Sequence, residues 1–172
     1  YWQAWVYLLV LLLPLGFVVQ YFLKHDPRFL ERRMRVREKE EVQIRIQAIG
    51  GILFFFGFLI PGLDYRFGWS SVPVPVVLAA DVAVFLGYLF IFLVFRENSY
   101  ASRIIEVEKG QRVITTGPYA LVRHPMYLGV ILMFLATPVA LGSWWGLPVF
   151  CLLPVFLVLR IRNEEVVLAR EL

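Results

Sequence analysis

The sequence has one cysteine in 172 residues, Cys151, and it lies inside an apolar run. A single thiol forms no internal disulfide, and a small, greasy core position accounts for it better than a nucleophilic role. No Gly-x-Gly-x-x-Gly follows a strand-like segment, so the signature of a Rossmann dinucleotide site is missing. The apolar stretches lack strict alternation, which argues against a transmembrane β-barrel. There is no internal repeat and no low-complexity linker.

What the chain has in excess is apolar surface. Sixty percent of its residues are hydrophobic and 16% aromatic, with a mean hydropathy of +0.72. A soluble domain typically reaches about 45–50% apolar. The composition is that of an integral membrane protein, and the length suits one domain spanning residues 1–172. The net charge of +4 invites a nucleic-acid reading, but the basic residues cluster beside greasy segments, where membrane orientation explains them and no nucleic-acid partner is expected.

Five hydrophobic segments emerge, at about 1–23, 44–62, 73–95, 126–141 and 145–159. Crossing a bilayer takes roughly 20 apolar residues in a helix, and the first three segments meet that length. The last two are shorter and separated by Gly142-Ser143-Trp144, so they read as a tight antiparallel helical hairpin. The first reads as a span rather than a secretory signal, because its apolar run is too long and no small-residue cleavage site follows. The expectation is an all-α integral membrane protein of five transmembrane helices with a cytosol-facing pocket.

Charge supplies the orientation. Sixteen of the seventeen basic residues lie in the stretch 24–45, the stretch 96–123 or the tail from Arg160, which share one side of a five-span arrangement. Only Arg66 falls on the other side. The positive-inside rule then sets these three stretches in the cytoplasm. The stretch 24–45 mixes charges with Met34, Val36, Val42 and Ile44 and reads as a surface helix. Asp81 is the one acid within an apolar segment; this topology puts it nearer the outer face, with Arg66 as its expected local partner.

Two polar islands border the hairpin. The first includes Gly117-Pro118-Tyr119, Arg123-His124-Pro125 and Met126-Tyr127 with Gly129; the second is Arg160 with Arg162-Asn163-Glu164-Glu165. Proline suits the first turn of a helix, so the fourth segment should begin at Pro125 with His124 near its cap. A helix start is electropositive and favours a carboxylate or other anion. Each residue also has a bland role: arginine snorkels, histidine caps, tyrosine marks the interface. Glu164 and Glu165 are harder to explain that way, since a helix C-terminus favours cations and positive-inside bias does not call for acids. The hairpin brings the start of one helix and the end of the other to the same membrane face, so Tyr119, His124, Tyr127, Arg160 and Glu164 are expected to converge.

This pattern, followed by its hairpin and the Arg-x-x-x-Glu-Glu island, resembles the isoprenylcysteine carboxyl methyltransferase family, and related phospholipid methyltransferases carry a similar one. The resemblance covers about 106–168. It implies S-adenosylmethionine as methyl donor, leaving as S-adenosylhomocysteine, at the cytosolic face of an endoplasmic reticulum or prokaryotic plasma membrane. It implies cofactor contacts from Gln111, Arg112, Val113 and Ile114, largely through backbone. Tyr119, His124, Pro125, Met126, Tyr127 and Glu164 would complete that site, with Glu164 receiving the cofactor's ammonium group. Arg160 would hold the substrate carboxylate. No metal is implied.

The implied reaction is methyl-esterification of a prenylated cysteine in the bilayer. A carboxylate is already ionised at neutral pH, so alignment and desolvation suffice and no base is required. The alternative acceptor is a phospholipid or other lipid amine, whose ammonium must first lose a proton; Glu165 or His124 would serve as base. Two further readings are a nicotinamide-dependent membrane sterol reductase relative, which NADPH would stabilise selectively, and a non-enzymatic scaffold, which would bind none of these cofactors.

Overall fold

The computed structural model describes residues 1–34, 41–98 and 114–171, and of residues 41, 164 and 167–171 the backbone alone. The described chain is all helix: α1 Trp2–His25, α2 Pro27–Met34, α3 Glu41–Phe67, α4 Val74–Glu97, α5 Pro125–Ala140 and α6 Leu147–Glu171, with a 3₁₀ turn at Gly117–Ala120 before α5. Helices α1, α3 and α4 are long and apolar enough to cross a membrane, whereas α5 is a shorter apolar helix. At 16 residues α5 is about 24 Å long, less than a typical hydrocarbon core. Large side chains such as Leu13, Phe55 and Val155 point outward and are more than half exposed. A water-facing bundle would carry a polar outer face; one that is hydrophobic all round belongs in lipid.

The helices pack in the order α1–α4–α5–α6–α3, with α4 and α5 forming the most extensive pair. That pair can approach closely because both helices are bare where they cross. A Cβ on Gly129 would lie 2.7 Å from Ile91 Cγ1 and 3.1 Å from the Gly87 carbonyl oxygen, and one on Gly87 would lie 2.7 Å from Met133 Cγ. Such glycine contacts suit membrane helices, where close backbone packing replaces the hydrophobic drive. Helices α5 and α6 form the antiparallel hairpin, which turns at Gly142 with φ +75°, a left-handed conformation open to glycine.

The turn of that hairpin is tied to the far end of α3. Asp64 is fully buried, and its carboxylate accepts hydrogen bonds from the Ser143 hydroxyl, the Ser70 hydroxyl (2.6 Å) and the Ser70 amide (2.7 Å). Ser143 Oγ in turn accepts from the Gly146 amide at 3.1 Å. Three donors keep a buried carboxylate from becoming an uncompensated charge. The Tyr1 hydroxyl adds a bond to the Leu141 carbonyl at 2.6 Å, which pins the start of α1 to the same end.

Asp81 departs from expectation. It is 5% exposed on α4, and among the described residues neither carboxylate oxygen has a hydrogen-bond partner. Arg66, its anticipated partner, instead lies with its guanidinium 6.0 Å from the Phe67 ring centroid. Arg66 follows Asp64 on the last turn of α3, whereas Asp81 faces the α1–α4–α5 interior, so the two do not meet. Burial of an unpartnered acid costs about 1–3 kcal/mol. Asp81→Leu should therefore raise the melting temperature in detergent, while Asp81→Asn should leave S-adenosylhomocysteine affinity unchanged. A large loss of that affinity in Asp81→Asn would mean the residue communicates with the opposite end of the bundle.

Candidate functional site

The site lies at the end of the bundle opposite Asp64, where α1, α4 and α6 finish and α3 and α5 begin. His124 is the N-cap residue of α5 and Pro125 its first helical residue, buried and without a donor to lose. Tyr127, on the first turn, is 6% exposed. Its hydroxyl accepts a hydrogen bond from Arg160 Nε at 3.1 Å, joining α5 to α6 as the hairpin requires. The Arg160 carbonyl in turn accepts from Gln43 Nε2 at 3.4 Å, which ties α6 to α3. Gln43 is fully buried, and among the described residues its Oε1 finds no hydrogen-bond partner, nor does Asn163 Nδ2 on the next turn of α6. Buried polar atoms are normally hydrogen-bonded, so these two mark a point where a polar ligand would complete the bonding.

His124 reaches α6 one turn further out, with Nε2 3.2 Å from Glu165 Oε1. The Glu165 side chain is half exposed, so this pair adds little stability and its carboxylate stays open to solvent. Tyr119 takes a different direction. It sits in the 3₁₀ turn, and its hydroxyl accepts from Asn98 Nδ2 at 2.8 Å, where Asn98 caps the end of α4. The Thr116 hydroxyl binds the Glu97 carboxylate on that same end. Together they clasp the segment before α5 onto α4.

A cavity of about 420 Å³ opens between α3, α5 and α6, within the usual range for ligand sites. Met126, Tyr127 and Phe134 come from α5, Arg160 and Phe156 from α6, Gln47 and Phe54 from α3, and Arg33 from the last turn of α2. Among the described residues its two charged lining residues are both arginines. An apolar pocket whose charged lining, among the described residues, is two guanidinium groups suits a ligand that combines a greasy body with an anion.

The structure thus joins Tyr127 to Arg160 and His124 to Glu165, and it lines the cavity with Met126, Tyr127 and Arg160. It does not bring Tyr119 into that cavity, because Asn98 holds it on α4. Ile114 is half-buried in an irregular segment. Gln111, Arg112 and Val113 lie outside the described residues, as does the side chain of Glu164. Sequence reasoning missed Arg33, Gln43 and Gln47. Gln43 and Gln47 are one helical turn apart on the first two turns of α3, a spacing that marks a shared face. Arg33 carried no signal, being one of many charges in its stretch.

Residues 75–171 match the model of the phospholipid methyltransferase family, more than half of the chain, running from the first turn of α4 to the end of α6. Comparison with curated proteins and with solved structures gave no match.

Proposed function

We propose that this chain, which belongs to the phospholipid methyltransferase family and is on that ground a membrane methyltransferase, methylates a carboxylate on a lipid-borne acceptor with S-adenosylmethionine as donor. The observation that carries the reading is Arg160, held by Tyr127 at the wall of a greasy cavity. The acceptor class it suits best is a prenylated cysteine.

Bound S-adenosylmethionine would supply an electrophilic methyl group on a sulfonium. The residues at this end of the bundle fit such a donor: an open carboxylate on Glu165 for an ammonium group, and the unsatisfied Gln43 Oε1 and Asn163 Nδ2 for polar atoms. His124, Pro125, Met126, Tyr127 and Glu164 would frame it, with Tyr119 and residues 111–114 on the side of α4. Arg160 orients the acceptor carboxylate through its planar fork, and the Tyr127 and Gln43 bonds fix the arginine before the acceptor arrives. The apolar walls of Phe54, Phe134 and Phe156 exclude water from an already ionised nucleophile, which sharpens its attack.

The membrane arrangement we propose has five spans with the site at one end. Helices α1, α3, α4, α5 and α6 alternate between the two ends of the bundle, and the described basic residues Lys24, Arg33, Arg45, Arg96, Arg123 and Arg160 lie on or next to the elements that start or finish at the site's end. We place that end in the cytoplasm, where the water-soluble donor is found. A second reading, methylation of a lipid amine, is favoured by the His124–Glu165 pair, which offers a base at the rim.

Purified protein incubated with labelled S-adenosylmethionine and a farnesylated cysteine analogue should yield a base-labile product, since a methyl ester hydrolyses. A base-stable product on a lipid amine would establish the second reading instead. For the donor site, His124→Ala and Glu164→Ala should each abolish S-adenosylhomocysteine binding in calorimetry while the protein stays folded in detergent. Normal affinity in both variants would remove the assignment.

A further inference from the structure

A second cavity, of about 430 Å³, is lined from α1, α3, α4 and α5. It is a slot running along α5, where Met126, Val130, Phe134 and Thr137 follow one another at about one turn and present a single stripe. From Met126 to Thr137 that stripe is about 16 Å long. Met126 and Phe134, with Phe54 of α3, also line the first cavity, so the slot adjoins the space whose wall carries Arg160. Arg33 stands at this same end, its guanidinium carbon 4.7 Å from the centroid of the Phe95 ring. Beyond it the walls are aliphatic side chains and aromatic rings.

The far end of the slot is closed. Tyr7 of α1 and Thr137 are both buried there, and Tyr7 packs in one cluster with Ala80, Val84, Ala140 and Leu141. The Thr137 hydroxyl donates to the Met133 carbonyl at 2.7 Å, so the Tyr7 hydroxyl is the donor in its 2.9 Å bond to Thr137. Each hydroxyl proton is used inside this floor, which therefore asks for no polar atom from a ligand. Phe58 of α3 braces the Tyr7 ring, with 6.1 Å between centroids. A slot of this volume, toward the small end of ligand sites, holds one hydrocarbon chain rather than the pair of a diacyl lipid.

We propose that this slot takes the hydrocarbon chain of the acceptor, and that Tyr7 and Thr137 form the floor that sets the longest chain the protein accepts. The proposal rests on Arg160 as the anchor for the acceptor carboxylate in the reading above. With the head held at Arg160 and the tail stopped at Tyr7, a short chain leaves apolar wall uncovered and a long one collides with the floor. A slot of about 16 Å suits an extended farnesyl chain, whereas geranyl falls short and geranylgeranyl overruns. Tyr7 lies ahead of the family-matched residues 75–171, so members alike over those residues would differ in the chain they accept.

The test is a binding measurement on the full chain in detergent, with geranyl-, farnesyl- and geranylgeranyl-cysteine analogues as probes and S-adenosylhomocysteine as control. Each methylene buried in the slot should tighten binding about fourfold, so farnesyl should bind at least about tenfold tighter than geranyl, and geranylgeranyl no tighter than farnesyl. Tyr7→Ala lowers the floor and should raise the ratio of geranylgeranyl to farnesyl affinity about tenfold. Leu11→Trp fills the slot one turn nearer its mouth and should weaken farnesyl about tenfold while geranyl stays within about twofold. Tyr7→Phe keeps the ring and should keep the wild-type order; Tyr7→Leu covers the case in which the alanine variant does not fold. S-adenosylhomocysteine should stay within about twofold throughout. A merely structural role for Tyr7 would weaken all three analogues together. A chain-length order that neither Tyr7→Ala nor Leu11→Trp moves would overturn the proposal even if methyl transfer continues, as would a wild type that tightens with every added isoprene unit. The expected order in a wild type that transfers no methyl group would sink the methyl-transfer reading alone.

Discussion

Arg160→Ala should lower kcat/KM for a lipid carboxylate by about a hundredfold while S-adenosylhomocysteine affinity changes by less than about threefold. The magnitude follows from the loss of a bidentate charge-assisted pair, about 3 kcal/mol at tenfold per 1.4 kcal/mol. The selectivity follows from geometry: Arg160 lines the cavity, and its Nε is tied to Tyr127 on the facing helix. Arg160→Lys should recover little, because a point charge neither reaches Tyr127 in the same way nor binds both oxygens. Tyr127→Phe separates positioning from contact. It removes only the hydroxyl and should lower activity by about tenfold, with less effect on KM than on kcat. If Arg160→Ala lost donor binding and acceptor turnover together, the arginine would belong to the donor's side of the site.

The second large effect concerns the frame. Gly129→Val should destabilise the protein by about 3 kcal/mol, read as a drop of about 10 °C in melting temperature. Helix propensity pushes the other way, since replacing glycine in a helix with alanine gains about 1 kcal/mol. Space decides the sign: any Cβ on Gly129 meets Ile91 Cγ1 at 2.7 Å and the Gly87 carbonyl at 3.1 Å. The isoleucine end can shift, but the carbonyl of a packed helix cannot. Even Gly129→Ala should therefore destabilise, and a more stable alanine variant would show that the crossing is looser than these distances. Because Gly129 lies two residues beyond Tyr127, splayed helices should also separate Tyr127 from Arg160, so surviving protein should lose turnover in parallel.

How much of this was legible beforehand varies by element. Continuous apolar runs without alternation can only be helices in a bilayer, since every backbone group must be satisfied within its own segment. The hairpin was legible from the short Gly142-Ser143-Trp144 link, and the start of α5 from Pro125, because both are local backbone chemistry. Which face of each helix packs was not legible. The spanning helices are hydrophobic all round, so periodicity carries no direction. For that reason the buried Asp64–Ser143 bond, the orphaned Asp81 and the Gln43 contact with Arg160 appear only when helices distant in the sequence are set side by side. Tyr119 shows the same limit from within a motif: it lies in the polar island yet turns to Asn98 on α4.

The sequence by itself determined an all-helical membrane chain, its cation-rich end, and the two polar islands that a hairpin must bring together. Length, composition and local turn chemistry decide those matters, and they need no partner across the bundle. Tertiary structure alone decided that α1 packs on α4 and α3 on α6, that a cavity opens between α3, α5 and α6, and that Tyr127 and Arg160 meet at its wall. Those features depend on which helix crosses which, and that is settled by close approach at Gly87 and Gly129 and by aromatic anchors such as Phe29. Packing of that kind is a property of pairs of surfaces, which no single stretch of an evenly apolar sequence encodes.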